Sequence, residues 1–303
     1  MTNTFGEANP NGLYIKRKNN YEKRQIRKII NSSIRYTILT LGAFFMLYPI
    51  LWLIGASFKT NSEIFTSISF VPHKIDFTPY IKGWITGTQY TFATYYANTF
   101  KIVIPRVIFI VISSVITAYG FARFNFPLKK PLFGILIATL FLPRIVTRIP
   151  TYLLWKNLNL LDTFVPLYLP AIFADDAFFV FMLIQFLRSI PKELDEAAII
   201  DGCNSFQILT KILVPTIKPA IITVALFQFM WSMNDFMGPL IYISTVAKYP
   251  VSIALKMSID TTGNIEWNRI IAMSLIALLP SIIAFFSAQK YFVEGISTTG
   301  LKG

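Results

Sequence analysis

The sequence predicts an all-α membrane protein with six transmembrane helices and both termini cytoplasmic, and three observations carry that prediction. Of its 303 residues 54% are hydrophobic and only 14% are charged, well below the roughly 25% charged residues of soluble domains. Six apolar stretches each approach the ~20 residues that a helix needs to cross a bilayer. Lysine and arginine gather in alternate connections between those stretches, which sets an orientation.

Residues 1–35 read as a cytoplasmic basic tail carrying Lys16, Arg17, Lys18, Lys23, Arg24, Arg27, Lys28 and Arg35. The part from Tyr21 to Arg35 fits a helix on the membrane surface. Residues 36–290 form the transmembrane domain, with spans at 36–56, 99–121, 132–154, 166–187, 219–241 and 269–289. Pro49 predicts a kink in the first span. The third and fourth spans are the least apolar: the third holds Pro143, Arg144, Arg148 and Pro150, and the fourth holds Pro170, Asp175 and Asp176. Residues 291–303 form a second cytoplasmic tail.

The inner connections carry Arg123, Lys129, Lys130, Arg188, Lys192, Lys211 and Lys218, and Lys290 and Lys302 close the chain. The outer ones carry Lys59, Lys74, Lys82, Lys156, Lys248 and Lys256. The formal charge of +13 therefore reports cytoplasmic loops facing anionic lipid rather than nucleic acid. One cysteine, Cys203, excludes an internal disulfide and a cysteine-built metal site. One histidine, His73, leaves little for metal or acid–base chemistry, so no catalytic and no metal residues are assigned. The basic N-terminus is too long, and the first apolar segment too extended, for a cleavable signal peptide. The long outer loop from Ser57 to Ala97 is aromatic, which suits either an extracellular partner or the membrane interface.

The cytoplasmic connection at 189–219 reads as two short helices hinged at a glycine. Ser189 suits an N-cap and Pro191 a first turn. Glu193, Asp195 and Glu196 complement a helix N-terminus. Leu194, Ala197 and Ala198 share one smooth face. Gly202 can adopt the left-handed conformation that ends such a helix, and a second helix runs toward Pro215. Small side chains here let another protein approach closely.

Ionisable groups inside spans are costly and mark function by default. Arg144 and Asp176 both fall roughly 18 Å from the cytoplasmic face at 1.5 Å per residue. Arg148 lies one turn above Arg144, near the depth of Asp235. Either Arg144 and Arg148 pair with Asp175, Asp176 or Asp235 and hold the bundle together, or they face a water-filled path with Asn234 and Asp235 and attract an anionic or hydroxyl-rich solute. Lys101 and Arg106 would extend a positive lining if they point inward. Asn234 also suits a hydrogen bond between helices, and Gly238–Pro239 reads as a break near the outer face. The C-terminal Gly295, Gly300 and Lys302 only approximate a phosphate-binding loop, because Leu301 separates glycine from lysine and no helix follows. This excludes nucleotide binding by that segment.

Glu196-Ala197-Ala198, Gly202, Ile212 and Val214-Pro215 resemble the EAA loop of importer-type ABC transporter permeases, with Val214 in place of the usual leucine. "YGFARFNFPLKK", "FLRSIPKELDEAAIIDG", "WSMNDFMGPL" and "QKYFVEGISTTGLKG" are similar to the carbohydrate branch of that family, in particular the smaller permease subunit of the maltose transporter. The resemblance implies the type I importer permease fold in a bacterial inner membrane. It implies a heterodimer with a second homologous permease, two ATPase subunits and an extracellular solute-binding protein. It also implies that this chain is not an enzyme and binds no cofactor, with ATP and magnesium on the ATPase subunits. Glu196, Ala197, Ala198, Asp201, Gly202, Ile212 and Pro215 would then couple to an ATPase, and Gly295, Thr298 and Gly300 would let the tail reach the ATPase dimer. Arg144 and Arg148 stand where sugar permeases carry uncharged residues, which favours an acidic, uronate-containing oligosaccharide over a neutral one. The alternatives are an ABC permease for a non-sugar solute and an ion-coupled secondary transporter, against which stands the lack of an internal repeat.

Overall fold

The computed structural model describes residues 10–85, 90–259 and 265–300, with side chains described for 27–85, 90–143, 145–259 and 265–291. All regular structure among these residues is helical. Helix α1 (Pro10–Ala56) unites the basic tail and the first apolar segment. From Leu13 to Leu41 the sequence holds neither glycine nor proline, so nothing separates tail from span. Helices α2 (Asn61–Thr66) and α3 (Thr78–Ile85) belong to a compact cap beyond its end. Lys59 is fully buried there, and its Nζ donates to the carbonyls of Ser67 (3.2 Å) and Ser69 (2.6 Å). Gly55 is required where α1 meets this cap, because a Cβ would collide with the Phe70 carbonyl.

Helix α4 (Phe92–Arg123) is the central element. Helices α5 (Lys129–Leu140) and α6 (Arg144–Asn157) follow and meet at 104°. Helix α7 (Val165–Tyr168) passes through a 3₁₀ turn, Leu169–Phe173, before α8 (Ala177–Ser189). The connection between α8 and α12 is α9 (Glu193–Ile200), α10 (Ser205–Gln207), a π-helical turn Ile208–Leu213 and α11 (Val214–Thr216). Helix α12 (Lys218–Met233) then leaves at 78° to the segment Ser205–Thr216. The chain ends with α13 (Met237–Tyr242), α14 (Val251–Ile259) and α15 (Trp267–Gly300).

Among the described residues, four segments are long and apolar enough to cross a bilayer alone: Arg27–Ala56, Phe92–Arg123, Val165–Ser189 and Trp267–Tyr291. The bent pairs around α5–α6 and before α12 raise the number to as many as six. The main core lies where α4 meets α8 and α12. Ile110, Ala118, Phe179, Leu183, Ile184, Leu187 and Val224 are fully buried in it. Ser114 and Ala118 are also fully buried on α4, and such small residues let backbones approach where lipid offers no hydrophobic drive.

Three expected spans are interrupted. The third turns at Phe141–Pro143, because Pro143 lacks an N–H and excludes helical geometry at Leu142. The fourth breaks at Ala174–Asp176, where Ala174 has φ 52° and the Asp176 carboxylate accepts from Phe178 N–H at 3.1 Å, opening α8. The fifth breaks at Asn234–Phe236, earlier than the expected Gly238–Pro239, since Pro239 sits in the first turn of α13 where its missing N–H costs nothing.

Candidate functional site

Two constellations lie along α4, one at its C-terminal end and one at mid-length. The first is the loop between α8 and α12. Ser189 ends α8 and donates from its hydroxyl to the Phe186 carbonyl, so the expected N-cap role passes to Lys192, which caps α9 without a side-chain bond. Glu193, Asp195 and Glu196 occupy the first turn of α9. Asp201 ends it and Gly202 follows with φ +81°, the left-handed geometry that glycine adopts without strain. Asn204 and Gln207 then form a reciprocal capping box at 2.9 Å each way, which sets the second helix running directly after the turn.

The loop has an inner and an outer face. Ala198, Ile208, Leu209 and Leu213 are buried, and Ile212 packs partly against the same core. Leu194, Glu196, Ala197, Ile199, Ile200, Phe206 and Pro215 point outward, with Ile200 86% and Phe206 72% exposed. Ala197 and Ala198, read as one face, are thus divided between the two sides. The loop is also bonded to the end of α4. Arg123 Nε lies 2.7 Å from Asp195 Oδ2, Arg123 Nη2 donates to the Ile190 carbonyl at 3.2 Å, and the Tyr119 hydroxyl donates to the Ser205 carbonyl at 3.0 Å.

The second constellation is a cavity of about 450 Å³ lined by residues of α4, α6, α7, α12 and α13 and of the breaks that precede α8 and α13. Arg106 Nη1 donates to the Leu167 carbonyl (2.6 Å) and Nη2 to Asp175 Oδ2 (3.0 Å). Asp235 Oδ1 accepts from Gly238 N–H (3.0 Å), and a Cβ at Gly238 would strike that carboxylate. Trp231 stacks on Phe179 with ring centres 5.1 Å apart and on Phe227 at 6.1 Å. Its remaining surface joins Gln228, Ser232, Thr147, Thr151 and Tyr242 in the lining. Arg148 lines the same cavity, and its Nη1 is buried without a hydrogen-bond partner. No described carboxylate lies within ion-pair distance of it.

Of the intramembrane candidates, the four ionisable ones whose side chains are described take different places. Asp175 is held by Arg106 rather than by Arg148, Asp176 caps α8, and Arg148 and Asp235 reach the cavity. Arg144 opens α6, but its side chain lies outside the described residues. Asn234 is exposed, ends α12 and donates to the Met230 carbonyl of its own helix at 2.8 Å, instead of bridging helices. Lys101 is exposed and does not line the cavity. Gly295, Thr298 and Gly300 lie on the last turns of α15, and their side chains fall outside the described residues. Among the described residues no three His, Cys, Asp or Glu side chains gather to hold a metal.

Sequence reasoning missed Trp231, Gln228 and Tyr242 as lining, and Tyr119 and Arg123 as anchors of the loop. An arginine ending an apolar helix, facing an acidic first turn that lies some 70 residues further along the chain, gave no local signal. It also missed a clip between the α6–α7 and α13–α14 connections. Asp162, with φ 56°, accepts from Ser244 N–H, Thr245 N–H, the Thr245 hydroxyl and Lys248 Nζ. Burial pushes the Asp162 carboxyl up, but these donors outweigh it and hold the group well below the usual carboxylate range.

Comparison with known proteins gives a consistent result. Residues 110–298 match the family described as binding-protein-dependent transport system inner membrane component. A putative ABC transporter permease of Caldicellulosiruptor sp. is 32% identical over 84% of this chain and 91% of its own length. The arabinooligosaccharides transport system permease protein AraQ of Halalkalibacterium halodurans is 30% identical over 90% of this chain and 98% of its own. Among solved structures, a chain of a bacterial ABC transporter involved in the import of the acidic polysaccharide alginate superposes with a TM-score of 0.75 at 26% identity. The match covers 89% of this chain and 98% of that one.

Proposed function

The chain belongs to the binding-protein-dependent transport system inner membrane components, the permease subunits of ABC transporters, and from that premise we propose that it is one half of the translocation path of an oligosaccharide importer. Members of this family are not enzymes; ATP hydrolysis lies in partner subunits. The proposed assembly has this chain with six spans and both termini in the cytoplasm, a second homologous permease, two ATPase subunits that hold ATP and magnesium, and an extracellular solute-binding protein.

The observation that carries the reading is the cytoplasmic loop. Its inner face is built into the core, while Glu196, Ala197, Ile199, Ile200 and Phe206 are presented to solvent. An exposed apolar patch rimmed by charge on a well-anchored helix is a docking surface. We assign Glu196, Ala197, Asp201, Gly202 and Pro215 to the contact with an ATPase, Ala198 and Ile212 to its support, and Gly295, Thr298 and Gly300 to a second contact. ATPase closure would move the loop and switch the cavity between inward-open and outward-open states.

The cavity supports a carbohydrate. An indole face beside planar guanidinium, carboxylate and amide groups suits a sugar ring, which offers C–H bonds on its faces and hydroxyls on its edge. The unpartnered Arg148 Nη1 favours a uronate carboxylate, a charge-assisted partner for a guanidinium. The likeness to a transporter involved in the import of an acidic polysaccharide points the same way. The ion-coupled alternative has less support, since Asp175 and Asp176 are engaged in structural bonds. The test is affinity purification of the tagged chain from its native membrane, followed by oligosaccharide binding to the partner binding protein. Recovery of ATPase subunits and preference for uronate-containing oligosaccharides are expected. A chain that purifies alone and active would overturn the importer reading. A binding protein selective for neutral oligosaccharides would overturn the acidic one.

A further inference from the structure

Helix α4 touches three levels of the molecule. At its cytoplasmic end Tyr119 and Arg123 bond the loop at Ile190, Asp195 and Ser205, on both sides of the Gly202 turn. At mid-length Arg106 bonds Leu167 and Asp175 at the wall of the cavity, and the Ser113 hydroxyl donates to the Ala171 carbonyl at 2.6 Å. At the outer end Asn98 Nδ2 donates to the Ala247 (2.7 Å) and Tyr249 (3.1 Å) carbonyls, and Thr99 Oγ1 accepts from Val251 N–H (3.0 Å).

The inner joint differs from the other two. Arg123 and Asp195 side chains are only 6% and 15% exposed. Yet Arg123 Nε and Asp195 Oδ1 each lack a well-aligned hydrogen-bond partner. The pair is therefore held by charge more than by hydrogen-bond geometry. Removing one partner would leave the other charge buried and uncompensated. An ionic contact of this kind keeps its attraction while the angle between its two elements changes, whereas well-aligned hydrogen bonds such as those of Arg106 fix one geometry.

We infer that Arg123 and Asp195 are positioning residues forming the mechanical joint between the loop and α4, and that α4 carries displacement of the loop to the Arg106–Asp175 wall of the cavity. Arg106 and Arg123 are about 25 Å apart along the helix at 1.5 Å per residue. Pro105 interrupts the backbone ladder beside Arg106, which places the compliant point of the rod at the cavity. The inference rests on the proposed docking of the loop to an ATPase.

The experiment measures the ratio of oligosaccharide imported to ATP hydrolysed by the purified intact transporter in proteoliposomes, for the parent, Arg123→Gln, Asp195→Asn and Arg123→Lys. Assembly is checked by size-exclusion chromatography. We expect Arg123→Gln and Asp195→Asn to assemble, to hydrolyse ATP within about twofold of the parent, and to lose on the order of tenfold in the ratio, the scale of coupling energies between distant sites. Arg123→Lys, which keeps the charge, should retain most of the ratio. The inference is overturned if the two neutral variants keep the parental ratio, or if import and hydrolysis fall together in step with lost assembly. A parent that imports without ATP would instead overturn the importer reading itself.

Discussion

The loop and the cavity are built by opposite means. The loop takes its residues from one continuous stretch, Glu193 to Pro215, and folds around a single left-handed glycine. The cavity takes Arg106, Arg148, Asp175, Trp231 and Asp235 from four separated segments. Most of its charges sit near interruptions in helices: Arg148 one turn into α6, Asp175 before α8, Asp235 between α12 and α13. A helix end exposes unpaired backbone groups that a mid-helix position lacks. Irregular backbone is tolerated at membrane depth only where protein or a water-filled cavity surrounds it. The interruptions are therefore part of what makes a polar cavity possible, while the loop uses its one glycine turn to present an exposed face.

This contrast can be broken at either end. Glu196→Lys and Gly202→Asp alter the loop alone; each should reduce import on the order of a hundredfold, as loss of a docking hot spot does, while solute binding and melting temperature stay near the parent for Glu196→Lys. Uptake assays beside thermal unfolding check this, and parental uptake with substrate-stimulated hydrolysis intact in both variants would remove the loop from coupling. Arg148→Ala alters the cavity alone. It should lower import of a uronate oligosaccharide by about tenfold, the worth of one charge-assisted bond, and leave a neutral analogue and the melting temperature nearly unchanged. A lower melting temperature with unchanged selectivity would make Arg148 structural. Gly238→Ala tests the interruption itself: the added methyl strikes Asp235 and crowds Leu167, so a loss of about 1–3 kcal/mol is expected, read from thermal unfolding in detergent.

The smallest effect belongs to the Asp162 clip. Because the folded Asp162 carboxyl sits below its ordinary value, it adds stability above about pH 4 that is lost as pH falls and the group protonates. Asp162→Asn should melt below the parent at pH 7, and the gap should narrow at pH 3. A gap that stays constant with pH would assign the effect to shape rather than charge.

Much of this architecture was legible in the sequence. The apolar segments at 36–56, 99–121 and 269–289 lie within α1, α4 and α15, since runs of about 20 apolar residues admit few other outcomes. The Gly202 turn and the acidic first turn of α9 were legible for the same local reason. The breaks were less so: the one before α13 was expected at Gly238–Pro239, and hydropathy averages over Pro143, Ala174 and Asn234 without registering a change of direction. The partner of Asp175 was also hidden. Arg106 and Asp175 are 69 residues apart, and only the packing of α4 on the segment before α8 brings them to 3.0 Å. Nothing local marks Trp231 as lining; Phe179 and Phe227 hold its ring at the edge of the cavity.

The central claim is that this chain imports its solute only when partner subunits hydrolyse ATP. Uptake of a labelled oligosaccharide by proteoliposomes holding the purified assembly, with ATP enclosed or omitted and the loaded binding protein outside, tests it directly. Uptake that requires both ATP and the binding protein is the result expected of the proposed importer. Equal uptake without ATP, driven by an imposed proton or sodium gradient, would contradict it.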